Sequence, residues 1–303
     1  MDQMNWTTRW ETWRTLVGTP SSAQRRRVET FLDTRPALLY WGDSWFSTPL
    51  YLNLARQSIL AIDGMAMLIG SPGATAGELF TGNRIDHIAA RVRSSPFDAV
   101  CLSAGGNDQL SQRLAKTFAD WMPPRKRAKI DADAAFAILL ASKSFETIHG
   151  RYVALLEALR AVHRARPEFR VFGHGYMPLV RIGAKGDLTV QNIGLIAWLK
   201  DDVGPWLWKP MQHVLPDKAE GKRFADLLML QGFRDHVLRP LAADDAFGDF
   251  FSFADFTALA GFDDPGLWHD EIHPTETGFA RMAAHLNAHM RARLPERKRG
   301  AFD

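Results

Sequence analysis

Short apolar runs ending in Gly-, Pro- or Asn-rich turns alternate with stretches of helical periodicity along this chain. Together they predict an α/β protein, a parallel sheet with helices on both faces. Uninterrupted runs such as ALLYWG suit strands buried on both sides. Between the runs, apolar residues recur three and four positions apart, as on one face of a helix.

The runs come in order. Residues 37–43 (ALLYWGD) make the first, 58–69 (SILAIDGMAMLI) the second, and 98–103 (DAVCLS) the third. Residues 169–173 (FRVFG) make the fourth, and 249–256 (DFFSFADF) the fifth. SPG follows the second run, AGGND the third and HGYMP the fourth. Phe145, Ile148, Tyr152, Leu155, Leu156, Leu159 and Val162 form one face of a helix. Residues 218–241 and 275–290 also read as helical, with Thr275 near the start of the latter. The stretch 174–248 has few strand signals and carries Trp198, Trp206, Trp208, Met211, Phe224, Met229 and Phe233. It reads as an insertion in a single domain covering 1–303, packed over or beside the site. Its aromatic residues either pack among themselves or wall an acyl pocket.

Composition narrows the function classes. With 303 residues, 46% hydrophobic and 23% charged, the chain is an ordinary globular protein. The net charge is only +3, and Arg25-Arg26-Arg27, Arg125-Lys126-Arg127 and Arg297-Lys298-Arg299 read as solvated surface. No zinc-finger spacing occurs, so no nucleic-acid partner is expected, and peripheral membrane contact has no support. Cys101 is the one cysteine, which excludes an intrachain disulfide, and its apolar run makes it a buried thiol. The N-terminal MDQMNWTTRWETW lacks an apolar leader core and no run reaches membrane-spanning length, so a cytoplasmic protein is expected. His149, His163, His174, His213, His236 and His269 show no metal spacing, so no cofactor is expected; His269 adjoins the motif at 270–274.

In parallel α/β sheets the chemistry lies at the carboxyl ends of the strands. Gly42-Asp43-Ser44 follows the first run and sets a serine where a strand enters a helix, with backbone N–H groups around it. Asp270-Glu271-Ile272-His273-Pro274 precedes the last helix. An aspartate three residues before a histidine can take its Nδ1–H and leave Nε2 to accept the serine proton. Pro274 restricts His273 to extended backbone. Gly105-Gly106-Asn107-Asp108 follows the third run. Its glycines allow a tight turn, Asn107 can donate to an oxyanion, and Asp108 is expected to cap the helix that follows. Gly73, in Ser71-Pro72-Gly73-Ala74-Thr75, offers a second backbone donor. Nucleophile, base, orienter and oxyanion donors are the set that acyl transfer needs.

The blocks resemble, in order, those of the SGNH hydrolases, also called GDSL esterases and lipases. The serine block matches Gly42-Asp43-Ser44 and the glycine block Gly73, with Gly70 and Gly77 as alternatives. The asparagine block matches Gly105 to Asp108, and the histidine block Asp270 to Pro274. Trp45 stands where the family has leucine, a position that lines or supports the site entrance, and the insertion before the histidine block is long for the family. The resemblance implies a three-layer α/β/α sandwich around a five-stranded, flavodoxin-like parallel sheet. It implies ester hydrolysis through an acyl-enzyme on Ser44, with His273 as base, Asp270 orienting it, and Ser44, Gly73 and Asn107 as oxyanion hole. Small-molecule or lipid esters are the expected substrates. An O-acyltransferase with the same triad, or a binding protein without catalysis, are the alternatives.

Overall fold

The computed structural model describes residues 22–48, 51–121, 129–186 and 204–302. The N-terminal stretch, Arg125-Lys126-Arg127 and Trp198 lie outside the described residues. The fold is a three-layer α/β/α sandwich. Strands β1 (Ala37–Gly42), β2 (Met65–Gly70), β3 (Ala99–Ser103), β4 (Arg170–His174) and β5 (Phe251–Ala254) form one sheet in the order β2-β1-β3-β4-β5. Every pairing is parallel. Strands β1 and β3 are buried along their whole length, which is why their sequences are apolar without alternation.

Helices Leu54–Leu60 and Glu276–Arg293 pack together on one side of the sandwich, and Gly82–Ser94 packs on Ser144–Ala165 on the other. The described residues contain no helix long and apolar enough to cross a membrane. The second apolar run divides. Ser58, Ile59 and Leu60 finish the helix Leu54–Leu60, whose cap Asn53 accepts from the Arg56 N–H, and only Met65–Gly70 is strand. A short apolar run does not by itself distinguish a buried helix from a buried strand, and here Asp63-Gly64 separates the two. The region 218–241 is helical but not uniformly α. A π-helical segment, Leu227–Leu238, lies between α-helices Lys218–Asp226 and Arg239–Ala243.

From β1 the sheet grows both ways, to β2 on one side and β3 on the other. This strand order opens a crevice at the carboxyl ends of β1 and β3. Those ends are flush, since Gly42 aligns with both Gly70 and Ser103. A Cβ on Gly42 would lie 2.6 Å from the Ser103 Cβ, so the close approach requires glycine.

The opposite end of the sheet corrects one expectation. Lys298 is not solvated surface. It is 5% exposed, and its Nζ donates to Asp98 Oδ1 at 2.5 Å. The other Asp98 oxygen accepts from the Ala37 N–H at 2.7 Å, tying the C-terminal helix to the start of β1. Cys101 is fully buried with its Sγ 3.4 Å from Met290 Sδ, and burial pushes its thiol pKa up.

Candidate active site

Ser44 opens a short helix, Ser44–Ser47, immediately past β1. Asp43 turns the chain there. Its N–H donates to the Ser103 carbonyl at 2.9 Å, and its Oδ1 accepts from the Trp45 N–H at 3.1 Å and the Ser103 hydroxyl at 2.7 Å. Burial pushes the Asp43 carboxyl up to about 6, against the opposing pull of those hydrogen bonds and of His273. Ser44 Oγ lies 3.2 Å from His273 Nε2.

The loop before the last helix builds the other half. Trp268 and Pro274 pair as an isolated bridge, and the His269 N–H donates to the His273 carbonyl at 2.8 Å, which folds the intervening residues into a tight turn. Asp270 Oδ1 accepts from the N–H groups of Ile272 (2.9 Å) and His273 (2.8 Å), while Oδ2 lies 2.9 Å from His273 Nδ1. One carboxylate thus holds both the turn and the ring. With the Nδ1–H given to Asp270, Nε2 faces Ser44 as an acceptor. Burial alone would raise the Asp270 carboxyl. The charge of His273 and the hydrogen bonds it receives outweigh that and hold it well below the usual carboxylate range. His269 Nδ1 lies 3.6 Å from Asp270 Oδ2, and its ring stacks on Tyr51, which also faces His273 edge-on at 6.2 Å.

The remaining predicted residues approach from β2 and β3. Of the three candidate glycines, Gly70 ends β2, Gly77 sits within the helix Ala76–Leu79, and Gly73 lies in the loop between them with φ +77°. The Asn107 side-chain amide donates to the Ala74 carbonyl at 3.0 Å. Asp108 does not cap the following helix. Its Oδ2 accepts from the Ala76 N–H at 2.8 Å, at the start of the helix that Thr75 caps, and burial raises its carboxyl to about 6. Neighbouring side chains of the asparagine block therefore clamp the glycine block. Gly105 adopts φ +109°, where a Cβ would lie 2.3 Å from the Phe233 ring. Only glycine fits there.

Several residues at this site carry no motif. Tyr176, just past β4, accepts from the Gly106 N–H at 3.0 Å and donates to Asp43 Oδ2 at 3.4 Å, linking the asparagine loop to the turn before Ser44. Its signal was its place in HGYMP, after a fourth strand. Glu271, within the histidine block, is fully buried. Its carboxylate accepts from the N–H groups of Gly183 (2.8 Å), Leu207 (2.7 Å) and Trp208 (3.0 Å), fastening the insertion to the histidine loop. Two tryptophans of the insertion have different neighbours. Trp206 meets the His273 ring edge-on at 5.3 Å, while Trp208 packs against Gly221 within the insertion.

A small pocket opens beside Ser44. Asp43, Trp45, Gly106, Asn107, Leu110, Tyr176, Leu179, Met229 and Ile272 line the rest of it. Trp45 borders it from the core, at 4% exposure, stacked on His174 at 5.5 Å and edge-on to Tyr176 at 4.8 Å. Among the described residues, no group of three or more His, Cys, Asp or Glu side chains is placed to hold a metal ion.

No family model matches this sequence, and no curated protein matches it. Solved structures do. A carbohydrate esterase family 3 protein from Talaromyces cellulolyticus is 16% identical, with 84% of this chain and 96% of that one covered at a TM-score of 0.41. A protein from Slackia heliotrinireducens described as an SGNH hydrolase is 14% identical, covering 83% and 97% at 0.44. Phospholipase A1 from Streptomyces albidoflavus NA297 is 16% identical, covering 84% and 99% at 0.43. Each is a distant likeness, in overall fold.

Proposed function

We propose that this chain is a serine ester hydrolase of the SGNH type, acting through an acyl-enzyme on Ser44. One observation carries the reading: Ser44 Oγ, His273 and Asp270 lie in a continuous chain of contacts, 3.2 Å from hydroxyl to Nε2 and 2.9 Å from Nδ1 to carboxylate. His273 takes the hydroxyl proton as Ser44 attacks the ester carbonyl, and Asp270 stabilises the imidazolium. His273 then returns the proton to the departing alkoxide. A water molecule, deprotonated in turn by His273, releases the acid and restores the serine.

Three donors suit the oxyanion: the backbone N–H groups of Ser44 and Gly73, and the Asn107 amide. An amide carries two N–H bonds. In Asn107 one is held by Ala74, which aims the other. Trp45 supports this site from beneath.

The test is Ser44-dependent turnover of p-nitrophenyl esters. Wild type hydrolyses them and Ser44→Ala does not, while both show the same thermal unfolding. Turnover by Ser44→Ala near the wild-type rate removes Ser44 as nucleophile. Added alcohol acceptors then show whether the acyl group goes to water or to another hydroxyl.

A further inference from the structure

The substrate's acyl group is bounded by the space beside Ser44. A tetrahedral carbon on Ser44 Oγ carries three other substituents. The oxyanion belongs with the Asn107 side. The leaving oxygen belongs against His273 Nε2, whose ring is faced by Tyr51 and Trp206. The acyl chain takes the remaining direction, past Ser44 toward Leu110, Leu179, Met229 and Ile272, which line a pocket that His273, Tyr51 and Trp206 do not border.

That pocket has an open volume of about 20 Å³. A single water-sized group needs about 10–15 Å³ on the same measure, so the space suits one methyl group. Four apolar side chains form much of its wall, and all four are buried. Leu110, Leu179, Met229 and Ile272 are each no more than 9% exposed. The aromatic side does not yield, because the Tyr176 ring is backed by Phe233 at 5.0 Å and by Trp45 at 4.8 Å. Phe233 in turn fills the space over Gly105.

Resting on the ester-hydrolase reading above, we propose that the enzyme is specific for acetyl-sized acyl groups, with Met229 and Leu179 as the walls that set the limit. Met229 comes from the π-helical segment, and its unbranched side chain is the wall whose shortening opens space with least disturbance. A pocket of this kind discriminates about tenfold or more for each methylene it cannot house.

The experiment compares p-nitrophenyl acetate, butyrate and octanoate with wild type, Met229→Ala and Leu179→Ala, subtracting the Ser44→Ala rate. The readout is the acetate-to-butyrate ratio of kcat/KM within each preparation, which does not depend on the folded fraction. Butyrate adds two methylenes, so the expected wild-type ratio is about a hundredfold or more, and at least one variant lowers it about fivefold or more. Wild-type turnover of octanoate at or above that of acetate overturns the proposal, as does a ratio unchanged in both variants. Absence of Ser44-dependent turnover on every ester overturns the ester-hydrolase reading itself, and the acyl limit with it.

Discussion

The two ends of the sheet make opposite use of their polar groups. At the amino ends of the strands lies the larger cavity, about 750 Å³, rimmed by Glu29, Asp33, Asp98, Arg166, Glu168, Arg297 and Lys298. The principal groups there are matched. Lys298 holds Asp98, Arg297 grips Glu168 through both guanidinium nitrogens, and Arg166 donates to the carbonyls of Val92, Ser95 and Phe97. At the carboxyl ends the cavity is far smaller, yet the groups form a directed chain in which Ser44, His273 and Asp270 point the same way. Cavity size does not locate the chemistry. At the amino end most of the charged groups hold one another or the backbone, whereas a chain of donors and acceptors ending on a hydroxyl can move a proton.

Breaking the carboxyl-end chain has the largest expected effect. Asp270→Asn keeps a side-chain oxygen for the Ile272 and His273 N–H groups, so the turn survives. Its amide, however, donates toward Nδ1 and forces the proton onto Nε2. A fall in kcat of about 10⁴-fold is expected, with a lower melting temperature, because the depressed carboxylate pKa contributes stability at neutral pH that the amide lacks. Steady-state kinetics with calorimetry checks both, and a loss under tenfold shows that Asp270 does not set the tautomer. Asn107→Ala removes one of the proposed oxyanion donors and is expected to lower kcat about 10²–10³-fold with little change in KM. A rise in KM alone would place Asn107 in ground-state binding instead.

At the amino end the expected currency is stability. Lys298→Met leaves Asp98 buried without its cation, at a cost of about 3 kcal/mol, read as a shift in urea unfolding. The kcat of the folded fraction stays at the wild-type value. A collapse of kcat in protein that remains folded would show that the two ends are coupled.

The fold was legible because buried parallel strands leave apolar runs, and each of the five strands overlaps one, with β2 and β4 running one residue past theirs. The error at 58–69 has the same physical source, since buried helix and buried strand share that composition. Ser44, Asp270 and His273 could be picked out because contacts local in sequence position them: a turn past β1, and a three-residue spacing closed by a carboxylate. The contacts of Tyr176, Glu271 and Met229 were not legible. Each reaches the site through tertiary contacts with segments far away in sequence, Tyr176 to Gly106 and Asp43, Glu271 to Gly183 and Leu207, and Met229 to the pocket wall. Lys298 was misread because a basic run shows its charges but not the Asp98 carboxylate buried with one of them.

The smallest effect sharpens the comparison from beneath the site. His174, at the end of β4, is fully buried among Trp45, Phe46, Tyr176 and Phe256, and burial lowers its pKa from 6.5 to about 4, with the Gly175 carbonyl opposing. Between pH 6.5 and 4 the unfolded chain binds a proton here that the folded chain refuses, so this residue's contribution is full above pH 6.5 and is lost as pH falls toward 4. Asp43 and Asp108, raised to about 6, work the other way over the same range, because the folded chain takes up their protons first. The wild-type pH profile is therefore a sum of opposing slopes, and only a difference isolates His174. His174→Phe keeps an aromatic ring in the stack and removes the titration. Between pH 7 and pH 5 the wild type is expected to lose about 2 kcal/mol more than the variant, read by urea unfolding at each pH. Equal losses in the two proteins would mean that His174 takes its proton in the folded state, inside the aromatic cluster on which Trp45 and the Ser44 turn rest.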